Sequence, residues 1–317
     1  MKRGPRPLVL IAAESDRGAR LDRFLRTRSG VLSRMRARDL LAEGAVTLNG
    51  KRVKIASRPL SPGDRVEVHV PASATASVPA GLPPYRVVYE DSAVLVVDKA
   101  PGVFVQPTPQ GDRGTLVDLL RRYLRQRHPA ARSPYLGLLH RIDRDTSGLL
   151  LFSRRGEANR VLAEQFRSHS LAREYLALVQ GRFMEDSGTI ADSLTRSAPS
   201  ARRGTSRRGA GKRAVTHYRV LERFAEATLL SVRLETGRTH QIRIHFAGRG
   251  HPIVGDRVYG RRDARHGSGL LNRFPRQALH AGLLGFTHPI NGEWMRFEVP
   301  LPEDFTGLLQ ALRAAPP

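Results

Sequence analysis

Between His140 and Asp145 the chain sets two carboxylates, two guanidiniums and an imidazole in six consecutive residues. It then passes through Thr146-Ser147-Gly148 into the apolar run Leu149-Leu150-Leu151-Phe152, and Leu136-Gly137-Leu138-Leu139 comes just before it. Charge at this density is costly to bury, while the flanking runs are too apolar to leave in water. Both demands are met by a short charged loop held between two buried segments, which is where a rigid scaffold presents reactive groups. A solvated surface cluster would not need such flanks.

The rest of the chain supplies a frame for that loop. Strand-like runs occur at Tyr85 to Tyr89, Val94 to Val97, Gly148 to Phe152, Tyr175 to Val179, Val215 to Leu221 and Thr228 to Leu234. Helical spacing appears from Leu116 to Arg125 and from Glu157 to Phe166. This predicts an α+β domain over 85–312. Ahead of it lies a smaller α/β module over 17–71. Leu21, Phe24 and Leu25 have helical spacing, and Ser33 is a helix cap opening a basic helix with Arg34, Arg36 and Arg38. That helix stops at Glu43-Gly44. Asn49-Gly50 then turns a hairpin that carries Lys51, and Pro62-Gly63-Asp64 leads into a strand from Arg65. Residues 1–16 read as a flexible tail, and 72–84, rich in Ala, Ser and Pro, as a linker.

The net charge of +24 calls for a polyanionic partner. Arg17 to Val70 alone holds thirteen basic against five acidic residues, which marks the small module's basic helix as a nucleic-acid surface. Lys2, Lys51, Lys54, Lys99 and Lys212 are the only lysines among 53 basic residues, and arginine forks bind phosphate bidentately. A genome favouring arginine codons would give the same ratio, though not the net charge. Ser197 to Arg213 carries six positive charges and reads either as an arm that orders on a phosphate backbone or as a plain surface loop. The chain has no cysteine, which removes disulfides and thiolate sites. No apolar run approaches a membrane span, so the expected location is the cytoplasm.

Several catalytic templates fail. Gly211-Lys212 lacks the earlier glycine and following hydroxyl of a phosphate loop, and no Gly-x-Ser-x-Gly elbow is present. His240, His245 and His251 have spacings of no standard metal pair, so no metal site is expected. A second informative segment remains, Thr236 to His245. Thr239 there is a candidate cap for a short helix that would carry Arg243. A carboxylate in a partly dry pocket stays ionised beside a guanidinium, so Asp143 and Arg243 are the pair to look for.

His140-Arg141-Ile142-Asp143-Arg144-Asp145-Thr146-Ser147-Gly148-Leu149 resembles the signature loop of the RluA-type RNA pseudouridine synthases. Tyr89-Glu90-Asp91 through Lys99-Ala100-Pro101-Gly102 is similar to that family's first motif, with Ala100 where the family has proline. Arg173 to Val179 is similar to its tyrosine-bearing strand. Gly237 to His245, with Gly250 to Ile253 and Gly255-Asp256, is similar to its arginine motif. Gln277 to Ala281 and Pro300-Leu301-Pro302 resemble its C-terminal end. The small module resembles an S4-like RNA-binding domain.

The resemblance implies a mixed, largely antiparallel sheet flanked by helices, and conversion of uridine to pseudouridine without cofactor. It gives Asp143 the catalytic role, acting at the ribose; covalent addition and proton abstraction both fit a carboxylate there. Tyr175, by itself a core tyrosine on a strand, would stack on a flipped base, and Arg243 would pair with Asp143. Asp145 reads as loop scaffold. Arg141 would contact phosphate or fill the place of the flipped base, and Arg238, His240, Arg34, Arg36, Arg38 and Lys51 complete the expected RNA-binding set. The expected substrate is large-subunit (23S) ribosomal RNA, and the expected state a monomer. A non-catalytic RNA-binding or ribosome-assembly factor, a synthase acting on transfer RNA, and a nuclease using His140, Asp143 and Asp145 around a metal are the alternatives.

Overall fold

The computed structural model describes residues 8–29, 40–41, 44–68, 83–107, 114–129, 133–196, 203–205, 211–260 and 269–315. They fall into two compact units, one built on residues 8–68 and the other chiefly on 83–315.

In the first unit, β1 (Leu8–Ile11), β2 (Val46–Leu48), β3 (Lys51–Arg52) and β4 (Arg65–Val68) form a sheet in the order β1-β4-β2-β3. Helix α1 (Leu21–Ser29) buries Leu21, Phe24 and Leu25 in a core with Leu40, Leu41, Val46, Leu60 and Val66. The β2–β3 turn sits where expected, with Asn49 at φ 50° and Gly50 at φ 79°, the pair of positive values that Asn-Gly accepts in a two-residue hairpin. The tail expectation is corrected from Leu8 onward. Leu8 to Ile11 pairs antiparallel with β4, with Leu8 and Leu10 against the core, and a single turn follows at Glu14–Asp16. Four residues are too few to stand out as a strand beside a charged terminus, and pairing supplies what propensity does not. Arg34, Arg36 and Arg38 lie outside the described residues, as does most of the expected linker.

The second unit is an eleven-stranded sheet. Its strands are β5 (Tyr85–Glu90), β6 (Val94–Lys99), β7 (Gly137–Leu138), β8 (Ser147–Ser153), β9 (Ala172–Gln180), β10 (Ser187–Arg196), β11 (Arg203–Thr205), β12 (Lys212–Arg223), β13 (Ala227–Leu234), β14 (Leu279–Thr287) and β15 (Trp294–Glu298). The order is β11-β10-β12-β13-β9-β14-β8-β6-β5, with β15 beside β14 and β7 beside β8. Only β8 with β14 is parallel among the described pairings. Helices α2 (Leu116–Arg127), α3 (Gly156–Arg167), α4 (Gln241–Gly248), α5 (Gly269–Arg273) and α6 (Glu303–Ala314) pack around it. Thr115 caps α2 reciprocally with Asp118. Arg203 to Thr205 corrects the loop expectation for Ser197 to Arg213 in part, pairing with the end of β10, and Lys212 opens β12.

Strand β8 explains the opening pattern. All seven of its residues are buried. Leu150 and Phe152 enter one hydrophobic cluster and Leu149 and Leu151 another, so a strand covered on both faces reads as a continuous apolar run. Each such side chain contributes about 1.5–3 kcal/mol of burial. Gly148, at φ 113°, is fixed by the crossing: a Cβ there would lie 2.2 Å from the Ala281 carbonyl oxygen of β14.

Candidate active site

The loop between β7 and β8 is held by its backbone. The Arg144 carbonyl accepts from Lys99 Nζ at 2.7 Å and from the Gly102 amide at 2.9 Å. Arg276 Nη1 donates to the Asp145 carbonyl at 3.1 Å, and Gln277 Nε2 to Thr146 Oγ1 at 3.2 Å. Lys99 is fully buried, and that burial pushes its ammonium down to about 7. The Asp145 carboxylate takes both arms of its neighbour Arg144 at 2.8 Å, which fits a scaffold residue.

Asp143 extends from this loop toward α4. Arg243 Nη1 donates to Asp143 Oδ2 at 2.8 Å, so the structure brings together the two residues the sequence paired across a hundred positions. Arg243 also grips Asp256 with Nε at 2.6 Å and Nη2 at 2.8 Å. Asp256 is anchored in turn by the amides of Val258 and Tyr259. Burial opposes the Arg243 charge, but the Asp256 and Asp143 carboxylates outweigh it and hold its pKa above the usual guanidinium value. Burial would raise Asp256; the Arg243 hydrogen bonds prevail and lower it. The guanidinium lies over the Tyr259 ring at 5.2 Å, and the Tyr259 hydroxyl is 2.9 Å from His240 Nδ1.

The cap of α4 differs from expectation. It is His240, in the left-handed region at φ 58°, and not Thr239. Gln241, the first helical residue, reaches back to brace the turn before the helix: its Oε1 accepts from the Arg238 amide at 2.9 Å and from Thr236 Oγ1 at 2.8 Å. His240 Nε2 is thereby set 3.7 Å from Asp143 Oδ1. Thr239 instead accepts from Arg141 Nη2 at 2.9 Å, which ties the two loops together.

These residues line a cleft of about 570 Å³ together with Tyr175, Ile142, Phe166 and Arg173. Tyr175 is buried, which pushes its hydroxyl pKa up against the opposing pull of Arg173. His140 accepts the Leu151 amide on Nε2 at 3.0 Å and stacks on Phe166, and burial with Arg173 nearby pushes it down to about 3. It is a neutral structural imidazole near neutral pH, and Asp145 is engaged by Arg144, so the three side chains of the nuclease alternative do not act on one point. Arg141 and Arg238 are exposed at the cleft, the latter donating to the Arg213 carbonyl at 3.1 Å. Lys51 is exposed on β3 in the other unit. Sequence reasoning missed the roles of Asp256, Tyr259, Gln241 and Arg173. The Gly255-Asp256 step was the available signal, but nothing in its spacing says that this aspartate turns back onto Arg243.

Residues 93–248 match the family model described as RNA pseudouridylate synthase, and residues 19–66 match the S4 domain. The uncharacterized RNA pseudouridine synthase YlyB of Bacillus subtilis (strain 168) is 40% identical over 304 residues, 96% of this chain and 97% of the relative. The ribosomal large subunit pseudouridine synthase D of Haemophilus influenzae is 35% identical over 322 residues, 97% of this chain and 96% of its own length. Among solved structures, human RNA pseudouridylate synthase domain containing 4 superimposes with a TM-score of 0.60 at 23% identity, covering 72% of this chain and 92% of that one, a likeness of fold.

Proposed function

The chain belongs to the RNA pseudouridylate synthase family, with an S4 domain ahead of its synthase domain, and from that membership we propose that Asp143 carries the isomerisation of a flipped-out uridine in large-subunit ribosomal RNA. The observation that carries the assignment is the Asp143–Arg243 pair, 2.8 Å apart on the wall of the cleft. The carboxylate is partly open to the cleft while its guanidinium partner is buried, so it is presented where a ribose can meet it.

The reaction exchanges one bond of uridine for another. The bond from ribose C1′ to uracil N1 breaks, the base turns, and C1′ joins C5. The hydrogen on C5 leaves as a proton, and N1 ends protonated, so no electrons are gained or lost overall. A carboxylate at the ribose can serve either by adding to C1′ or by taking a proton from the sugar, and in both cases it is restored at the end. Tyr175, on the cleft lining with its hydroxyl held neutral by burial, offers a ring for the turning base. A base inside a helix cannot reach Asp143, so the target leaves its stack, as base-modifying enzymes require. Arg141, Arg238 and His240 at the cleft, with Lys51, Arg34, Arg36 and Arg38 in the S4 domain, are assigned to the RNA.

The choice of ribosomal RNA is supported by the S4 domain and by relatives named as large-subunit synthases. No helix among the described residues is long and apolar enough to cross a membrane. The test is tritium release from RNA labelled at uridine C5, with large-subunit ribosomal RNA and transfer RNA as separate substrates. Wild type is expected to release tritium from the ribosomal transcript, and Asp143→Asn to bind it without release. Turnover by Asp143→Asn refutes the assignment, and release from transfer RNA alone moves the substrate.

A further inference from the structure

Five arginines and a single carboxylate, Asp143, line the cleft among the described residues. Arg243 already neutralises that carboxylate. Of the other four, Arg141 donates to Thr239, Arg238 to the Arg213 carbonyl, and Arg167 to Glu164. Arg173 differs. Its Nε is buried with no hydrogen-bond partner among the described residues, and no ion pair joins it to a described carboxylate. Its guanidinium rests over the Phe166 ring at 5.2 Å, the ring that His140 stacks against. It reaches across from β9 toward the loop before α4, where a Cβ on Gly237 would lie 3.6 Å from Nη1. It is therefore held in place by packing and by β9, two residues before Tyr175 on the same face, with no ion pair to a carboxylate among the described residues.

A half-buried guanidinium without a counter-ion is an unfavourable arrangement that a ligand anion relieves. Uracil is neutral, and the anion a uridine nucleotide brings into the cleft is its phosphodiester. We propose that Arg173 is the phosphate-binding residue of the cleft, receiving the phosphodiester that flanks the flipped uridine and fixing the nucleotide's position relative to Asp143. The inference rests on the RNA substrate proposed above. It makes Arg173 a positioning residue: it acts on where the sugar sits and takes no part in bond making.

The test measures binding of the large-subunit ribosomal RNA transcript between about 50 and 200 mM salt, in full-length protein carrying Asp143→Asn so that nothing turns over. Adding Arg173→Gln is expected to weaken binding and to flatten the dependence of log affinity on log salt by about 0.7–0.9, the share of one phosphate contact. Arg173→Lys, which keeps the charge, is expected to retain the slope, and matched thermal unfolding of the three proteins separates this from misfolding. In synthetic fragments around the modified uridine, a neutral methylphosphonate on the 5′ or the 3′ side identifies the phosphate. The replacement that costs the Arg173 protein affinity should cost the Gln variant nothing. Unchanged affinity and slope on adding Arg173→Gln would overturn the proposal, and if Arg173→Gln with Asp143 intact then slowed tritium release, the guanidinium would be assigned to the base instead. Tritium release by the unsubstituted enzyme reports the proposed function separately, since a protein that binds the transcript without turnover still yields the Arg173 slope.

Discussion

Arg243 is shared between two carboxylates that differ in what they contribute. Asp256 takes two hydrogen bonds and is wholly buried; Asp143 takes one and faces the cleft. Removing the Asp143 charge leaves the guanidinium compensated, so Asp143→Asn should cost at most about 1–2 kcal/mol of stability while ending catalysis. Asp256→Asn removes the stronger partner of a buried cation and should cost about 3–5 kcal/mol. It should also let Arg243 swing toward Asp143 and lower turnover. Urea unfolding and tritium release on the two variants check the contrast, and equal destabilisation would mean that the two carboxylates are interchangeable. Half of this arrangement could be read from the residues alone. An ionised aspartate in a dry loop needs a cation, which pointed to Arg243. The second aspartate could not be found that way, because its place depends on a turn at Gly255 whose carbonyl neighbours, Arg276 and Phe274, come from further along the chain.

At the scale of elements, β8 and its crossing with β14 decide where the loop bearing Asp143 ends. Gly148→Ala must place a methyl against the Ala281 carbonyl in a backbone conformation that L-residues avoid. We expect a loss of about 2–3 kcal/mol and displacement of Asp143, measured by urea unfolding together with activity. Gly137, whose Cβ would meet the Ser153 and Asn159 side chains, shows the same crowding at the other end of the loop. The strands were legible because apolar runs of five or six residues between turn signals have few alternatives, and Asn49-Gly50 specifies its own geometry. Strand β1 was not legible, because its four residues gain their order from β4. The cap of α4 was misplaced by one residue for a related reason. Thr239 has the better capping side chain, but its hydroxyl is engaged by Arg141, and Gln241 braces the turn before the helix by accepting from the Arg238 amide.

Across the whole molecule, acid should be more damaging than the carboxylates alone would make it. His245 is fully buried in α4 with neither ring nitrogen hydrogen-bonded, and burial pushes it down from 6.5 to about 4. His280 sits between Ser147 and the Val299 carbonyl and is pushed to about 4 by the same cause. The unfolded chain takes up these protons near pH 6.5 and the folded chain only near pH 4. The stability contributed is thus complete above about pH 6.5 and is lost as pH falls toward 4. Each buried histidine contributes on the order of 3 kcal/mol over that window. Melting temperatures followed from pH 7 to pH 4 should fall from the upper end of the range, and His245→Leu should flatten the decline. A decline confined to pH values below 4.5 in the parent protein would contradict this.

The parallel pairing of Ser147 with His280 and Gly148 with Ala281 joins residues 133 positions apart. During synthesis the loop bearing Asp143 leaves the ribosome long before β14, and so does Arg243. The small module has a hydrophobic core of its own, whereas the loop, already gripped by Lys99 and Gly102, lacks the parallel neighbour of β8 until β14 arrives. The loop's full set of contacts therefore waits for nearly the whole polypeptide, and a chain stopped short of β14 is expected to lack turnover.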